Sequence, residues 1–380
     1  MLGRLIDEMK QAIVDVYPLL FDPIYQTRIW GGRRLETLLG RSLPPAEPIG
    51  ESWELSDLPG AESRVRHGPA RGRPLHALVE DWGTSLTGRT PLCDGRFPLL
   101  IKYLDADQPL SVQVHPPPDA DADVAGPVKH EAWVVLHADP EGCVYRGLRP
   151  GVTADRLRSA IHDGHAPDLL ERIPVRAGQA LYLPAGVVHA LGGGVLVAEV
   201  QTPSDVTYRL FDWNRADPHT GRPRDLHIDQ ALRCLRPAQN LVQAEARSHV
   251  ASVWTSVTRL ISCSHFVIER VRMIEGVEQD VPYAEPVIWM ILAGEGEVSC
   301  KFGDDRMIVG FAPSDTVLLP AGLREARVRT SSVCTWLEIT IPVPSPLAGF
   351  DRPDRAVLRA AAEPPPAFVP LAVRPEKREK

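Results

Sequence analysis

The segment Leu181-Tyr-Leu-Pro-Ala-Gly-Val-Val-His-Ala190 recurs late in the chain as Val317-Leu-Leu-Pro-Ala-Gly-Leu-Arg-Glu-Ala326. Upstream of each copy lies a Trp-bearing apolar run, Glu131-Ala-Trp133 and Val287-Ile-Trp289. Two echoes in the same order are most simply explained by a repeated structural module. The 37 Pro are spread between short apolar runs, a pattern suited to many turns joining short strands. The expected fold is therefore mainly β, with two barrel-like modules. The copies differ where chemistry could reside, since Glu325 stands in the place of His189 and Val287 in the place of Glu131. The second module is expected to be a structural barrel without metal ligands.

In the first copy, polar residues alternate along an apolar strand. Side chains of a strand point to opposite faces in turn, so Ser111, Gln113 and His115 share one face while Leu110, Val112 and Val114 share the other. Gln113, His115, Glu131 and His189 supply only N and O donors, which suits a divalent metal of the zinc type, and no Cys is recruited. A catalytic metal site inside a β-barrel is the reading these residues support. Plainer roles compete with it. A buried His is commonly a hydrogen-bonded core residue, Gln113 could bond a strand edge, and Ser111 could be one polar residue on a wet face. Arg209 could pair with Asp205 or Asp212, and Lys129 could pair with Glu199. An unpaired carboxylate at Glu131 in so apolar a strand would be costly. Trp30, Trp53, Trp133 and Trp289 read as core.

The rest of the chain bounds the function. A formal charge of -7 without any dense Lys/Arg block argues against nucleic acid as a partner but leaves room for a local anion pocket. The six Cys show no C-x-x-C spacing, as expected of reduced thiols in a cytoplasmic protein. Asp7, Glu8, Lys10 and Asp15 interrupt any apolar run before it reaches signal-peptide or membrane length. Translation from Met9 would remove a surplus lead-in. Helix is expected at 73–81 and, behind a Thr153 cap, from Thr153 to Ile161, with a second short helix over Asp168 to Arg172. Asp105-Ala-Asp-Gln108 reads as a polar turn between two strands. The resulting division is a lead-in at 1–17, a metal-binding module at 18–150 and 173–238 interrupted by a helical insertion at 151–172, a second module at 239–345, and a Pro-rich charged tail at 346–380.

Gly178-x5-Pro184-x-Gly186-x2-His189 resembles the second motif of the cupin superfamily, and Gln113-x-His115 with Glu131 resembles a variant of the first. A closer likeness comes from Phe97-Pro-Leu-Leu-Ile-Lys-Tyr-Leu-Asp-Ala106, Pro109 to Pro116, Lys129-His-Glu-Ala-Trp133 and Glu199 to Trp213, with Ile29-Trp-Gly-Gly32, Gly50 to Ser56 and Arg222 to His227 around them. Together these resemble the type I mannose-6-phosphate isomerases, over about residues 18–340. The resemblance implies a jelly-roll cupin fold, one zinc per chain held by Gln113, His115, Glu131 and His189, and Arg209 as the catalytic arginine. It further places Lys129 and Glu199 at active-site positions and Lys102 with Ser111 at the substrate phosphate. His130 and the pair Thr202-Pro203 depart from the family pattern without removing a ligand.

The chemistry asked of such residues is consistent with the resemblance. Interconverting an aldose 6-phosphate and its ketose moves a proton between C2 and C1 through an enediol, so the site must stabilise oxyanion charge and supply an acid/base pair. Arg209 offers fixed donors, and Glu199, Lys129 or a metal-bound water could act as base. A sugar phosphate is the implied partner. A non-catalytic sugar-phosphate sensor and a metal-dependent oxygenase on the same barrel are the rival readings, and Arg209 beside the metal favours the isomerase.

Overall fold

The computed structural model describes residues 14–344 apart from 46, 125, 218–219 and 238–246; residues 1–13 of the lead-in expected at 1–17 and the tail from 346 lie outside the described residues, while Val16 and Tyr17 belong to the core. Two sheets make the first module. One runs Ala180–Leu183, Glu131–Ala138, Val195–Gln201, Leu100–Ala106, Ile24–Gly32, Ile49–Leu55, and the other Leu170–Pro174, Cys143–Leu148, His189–Leu191, Val112–Val114, Tyr208–Phe211. Val195–Gln201 is central, buried along its whole length between Leu100–Ala106 and Glu131–Ala138. It reads as a nearly continuous apolar run because both of its faces are covered.

Its single acidic residue sits in a cross-strand row. Register places Trp133 and Lys102 on either side of Glu199, and Trp53 beyond Lys102. Residues directly opposite in neighbouring strands share a face, so these four side chains line one side of the sheet. On that side, Trp133, Val135, Leu104, Val197, Leu181 and Leu191 close one end of the module with an apolar plug. The opposite side of the sheet carries Ile101, Tyr103, Ala132, Val134, Ala198 and Val200. These pack into one continuous core with Ile268, Trp289, Leu337 and Ile339 of the second module. Each such aliphatic side chain, fully buried, contributes about 1.5–3 kcal/mol.

The second module repeats the register. Trp133 lies opposite Leu181 and Glu131 opposite Leu183; Trp289 lies opposite Val317 and Val287 opposite Leu319. On the other flank, Glu199 faces Trp133 as Glu338 faces Trp289. The indole of Trp133 donates to Glu199 Oε1 at 2.8 Å, and that of Trp289 donates to Glu338 Oε2 at 3.0 Å. Glu338 is thus the structural counterpart of Glu199, a pairing the sequence comparison did not reveal. It is sealed: the Tyr283 hydroxyl also donates to Oε2, at 2.6 Å, and Trp336 Nε1 approaches at 3.4 Å.

Several sequence expectations need correction. Leu19–Asp22, counted with the first module by chain order, pairs with Thr316–Leu319 and with Arg64–Val65 in the sheet of the second. The insertion has one α-helix, Ala154–His162, capped as expected by the Thr153 hydroxyl accepting from Arg156 N–H. The second short helix is instead a 3-10 turn, Ala166–Leu169, followed by the strand Leu170–Pro174, whose pairing with Cys143–Leu148 outweighs its local helical composition. Asp105 belongs to the strand Leu100–Ala106 and is buried, accepting from the backbone N–H of Arg34 at 2.5 Å and pairing with its guanidinium.

Glu338→Ala should destabilise the protein by about 3 kcal/mol, because the Tyr283 and Trp289 donors lose a buried acceptor. Glu338→Gln, whose amide oxygen still accepts, should cost clearly less. Equilibrium urea unfolding of both variants checks this; equal losses would show that the acceptor is not what matters.

Candidate metal and sugar-phosphate site

At the open end of the first module lies a cavity of about 470 Å³. Val112–Val114 and His189–Leu191 bring Gln113 and His189 side by side, and His115 follows at the strand end. The Pro184-Ala-Gly186 turn is docked there because Gly186 N–H donates to the His115 carbonyl at 3.0 Å. Gly186 has φ +85, and a Cβ there would meet Arg236 at 2.7 Å, so this turn requires glycine. Glu131 enters from the facing sheet.

The hydrogen bonds define what these side chains can accept. His115 Nδ1 lies 2.9 Å from the Val206 carbonyl and His189 Nδ1 lies 2.8 Å from that of Val187, so each Nδ1–H donates to backbone and each Nε2 keeps its lone pair. Those Nε2 atoms point at Glu131, His115 at 3.2 Å from Oε1 and His189 at 3.2 Å from Oε2. Lone pair facing carboxylate is not a hydrogen bond. His115 Nε2 and both Glu131 oxygens are accordingly buried polar atoms without a hydrogen-bond partner among the described residues. The amide of Gln113 reaches the same point, 3.4 Å from His189 Nε2, and half a turn of that amide would present its oxygen. Converging acceptors with no donor between them suit a cation. His115, Glu131 and His189 form the one His/Cys/Asp/Glu group of metal-binding geometry found among the described residues. In the second module the counterpart Glu325 is exposed on its strand near Lys301 and Arg306, and Val287 is core.

Charge around this point is tightly arranged. Lys129 Nζ sits 2.5 Å from Glu131 Oε1, an ion pair without hydrogen-bond geometry. Burial pushes the Glu131 carboxyl up, but Lys129 and then His115 outweigh it and hold it well below the usual range. Burial, aided by Lys129, lowers His115 to about 4, so the imidazole is neutral near pH 7 and ready to ligate. Lys102 lies 3.4 Å from both Glu51 and Glu199 and 4.9 Å from the Trp53 ring centre. Burial would lower its pKa, yet Glu51 and Glu199 raise it above the ordinary lysine value. Glu199 is raised, chiefly by burial, with Lys102 opposing. The plainer alternative, a Lys129–Glu199 pair, is not formed; Lys129 pairs with Glu131 and Lys102 with Glu199.

Arg209 lies opposite Gln113 across the strand pair and lines the cavity. Neither Asp205 nor Asp212 forms an ion pair with it; Asp212 is taken by Arg215 and Arg224. The Arg222–His227 segment cradles it instead, with the Asp225 carbonyl accepting from Nη1 at 2.8 Å and His227 N–H donating to the Arg209 carbonyl at 2.7 Å. Ser111 is buried at the cavity wall, its hydroxyl 3.5 Å from the Gln113 oxygen.

The catalytic-domain model of the type I phosphomannose isomerases matches residues 19–140. Mannose-6-phosphate isomerase ManA of Bacillus subtilis is 33% identical over 330 residues, spanning 83% of this chain and 97% of that protein. The chain belongs to the type I mannose-6-phosphate isomerase family. A second family member, the mannose-6-phosphate isomerase of Streptococcus mutans, is 34% identical over 285 residues, covering 74% of this chain and 87% of its own length. In three dimensions the crystal structure of mannose 6-phosphate isomerase from Bacillus subtilis superposes with a TM-score of 0.75 at 28% identity, over 86% of this chain and 100% of that one.

Around this site, residues that the sequence reading gave no role also line the cavity, notably Arg28, Glu51 and Arg224. Glu51 had a legible signal: it is the first of two carboxylates in Ile49–Leu55, a strand buried at every position. It accepts from Arg28 Nε and Trp53 Nε1, both at 2.7 Å, and although burial opposes it, Lys102 and Arg28 hold its pKa at about 2. No described helix is long and apolar enough to cross a membrane.

His115→Ala and His189→Ala should each abolish tight binding of a divalent cation while leaving the fold intact, because the apolar plug and shared core do not depend on these rings. Glu325→Ala should leave the stoichiometry unchanged. Metal analysis after dialysis, with circular dichroism as the fold control, tests the ligand set; a stoichiometric loss in Glu325→Ala would refute it.

Proposed function

We propose that the chain is a zinc-dependent aldose–ketose isomerase interconverting D-mannose 6-phosphate and D-fructose 6-phosphate by proton transfer through an enediol. The observation that carries this reading is the pair of imidazoles and one carboxylate whose ligand atoms converge beside a cavity-lining arginine. Family membership supplies the substrate class. Gln113, His115, Glu131 and His189 would hold one zinc, which when bound would polarise or position the sugar oxygens.

The remaining roles fall to the chain's own groups. Arg209 presents a fixed guanidinium, braced by the Asp225 carbonyl, towards oxyanion charge that develops as the proton leaves carbon. Ser111 and Lys102 are the phosphate contacts in this reading. Lys102 brings a full charge, and its two carboxylate neighbours moderate that charge so that product can leave. Glu199 and Lys129 are the candidate proton carriers. Burial raises the Glu199 carboxyl, with Lys102 opposing, and an upward shift strengthens a carboxylate as a base, whereas Lys129 is paired with Glu131.

Purified protein should convert fructose 6-phosphate to mannose 6-phosphate, and a chelator should stop it. Metal binding without turnover would favour a sugar-phosphate-binding protein instead. In the same assay, Arg209→Ala should keep its metal and lose about a hundredfold to a thousandfold in kcat, the cost typical of one missing oxyanion donor. A change confined to KM would make Arg209 a ground-state phosphate clamp.

A further inference from the structure

Lys129 lies outside the sheet ladder. The strand that carries Glu131 begins at Glu131 itself, and residues 126–130 have no regular structure. Something else must hold a lysine backbone firmly enough to keep its ammonium 2.5 Å from Glu131. One anchor is the Thr202 side chain, alongside the Tyr182 hydroxyl and the Ala185 N–H that meet His130 Nδ1. Thr202, buried just past the end of Val195–Gln201, donates from Oγ1 to the Val128 carbonyl at 2.8 Å and accepts at the same oxygen from His130 N–H at 3.1 Å. Its own N–H donates to the His130 carbonyl at 3.0 Å. The residues on both sides of Lys129 are thereby tied to a single threonine.

The same turn reaches the metal ligands. Gln201 Nε2 donates to the Ser204 carbonyl at 2.7 Å, Val206 N–H donates to the Ser204 hydroxyl at 3.2 Å, and the Val206 carbonyl accepts from His115 Nδ1. Pro203, with its fixed φ, stiffens the bend between them. Thr202 and His130 are thus hydrogen-bonded to each other through both side chain and main chain.

We propose that Thr202 is a positioning residue that fixes Lys129 and Glu131 for metal binding and turnover by clamping Val128 and His130. The inference rests on the isomerase reading above. Groups one step behind metal ligands typically cost 10–100-fold in affinity or activity when removed. Thr202→Val, which keeps the shape and removes the hydroxyl, should therefore raise the zinc dissociation constant and lower kcat, each by about tenfold, with little change in KM. Thr202→Ser should restore both to within about threefold, since the hydroxyl is retained.

The decisive measurement is a double-mutant cycle. If Thr202 acts through Lys129, adding Thr202→Val to Lys129→Met should lower kcat no further than Lys129→Met alone. A Thr202→Val protein with wild-type zinc affinity and kcat, a Thr202→Ser protein no better than Thr202→Val, or a full additional loss in the Lys129→Met background would each overturn the proposal. A purely structural role would appear as a lower unfolding midpoint with unchanged kcat per zinc-loaded site. If the wild-type protein binds zinc but does not isomerise, the functional reading fails, and chelator-competition zinc affinity of the Thr202 variants still decides the clamp.

Discussion

A buried carboxylate faced by two lone pairs is an unfavourable arrangement unless a positive charge sits among them. Glu131 is in that situation, with His115 and His189 both committed to backbone carbonyls through Nδ1 and unable to donate to it. Lys129 relieves part of the repulsion from one side. Much of the surrounding architecture follows from keeping this charge assembly intact. The glycine turn docks on His115, the turn after Val195–Gln201 supplies its acceptor, and a second ion pair, Lys102 with Glu51 and Glu199, stands one row away. Breaking a buried pair of this kind by removing one partner is costly, because the surviving charge cannot reach water.

The two modules show how one register supports two outcomes. Both retain a tryptophan whose indole donates to a carboxylate on the neighbouring strand. In the first, the carboxylate opens onto the cavity beside Lys102; in the second, Tyr283 and Trp336 converge on it from the remaining sides. Burial raises both Glu199 and Glu338, and what separates them is access: Glu338 is met by three donors while Glu199 lines the cavity. The repeat therefore keeps its geometry in both copies, while the His/Glu/His cluster among the described residues lies in the first.

Much of this was legible in the sequence, for identifiable reasons. The echo of Leu181–Ala190 in Val317–Ala326 carried the repeat, and strict alternation through Gln113 and His115 carried the face of the site. What could not be read were facts of pairing between distant strands. Lys129 and Glu199 are both ionisable and both line the cavity, but only register reveals that Glu199 lies next to Lys102. Glu338 was invisible as a counterpart of Glu199 because no local motif surrounds it. The 168–172 segment has helical composition but ends a 3-10 turn at Leu169 and enters a strand at Leu170, since a waiting edge on Cys143–Leu148 outweighs weak local preference. Asp105 looked like a turn residue because its partner, Arg34, is remote in sequence.

Leu19–Asp22, the first strand the structure describes, pairs with Thr316–Leu319, almost the last part of the fold to be made. On a ribosome, this strand would emerge with an open edge and remain so through nearly the whole of synthesis. The outer side of the six-stranded sheet would wait equally long for Ile268, Trp289 and Leu337 to cover it. Such long-range closure makes folding slow and leaves apolar surface and free backbone groups exposed meanwhile. The nascent chain should thus be a natural client for a chaperone, and the catalytic half has no finished surface until the half without ligands is complete.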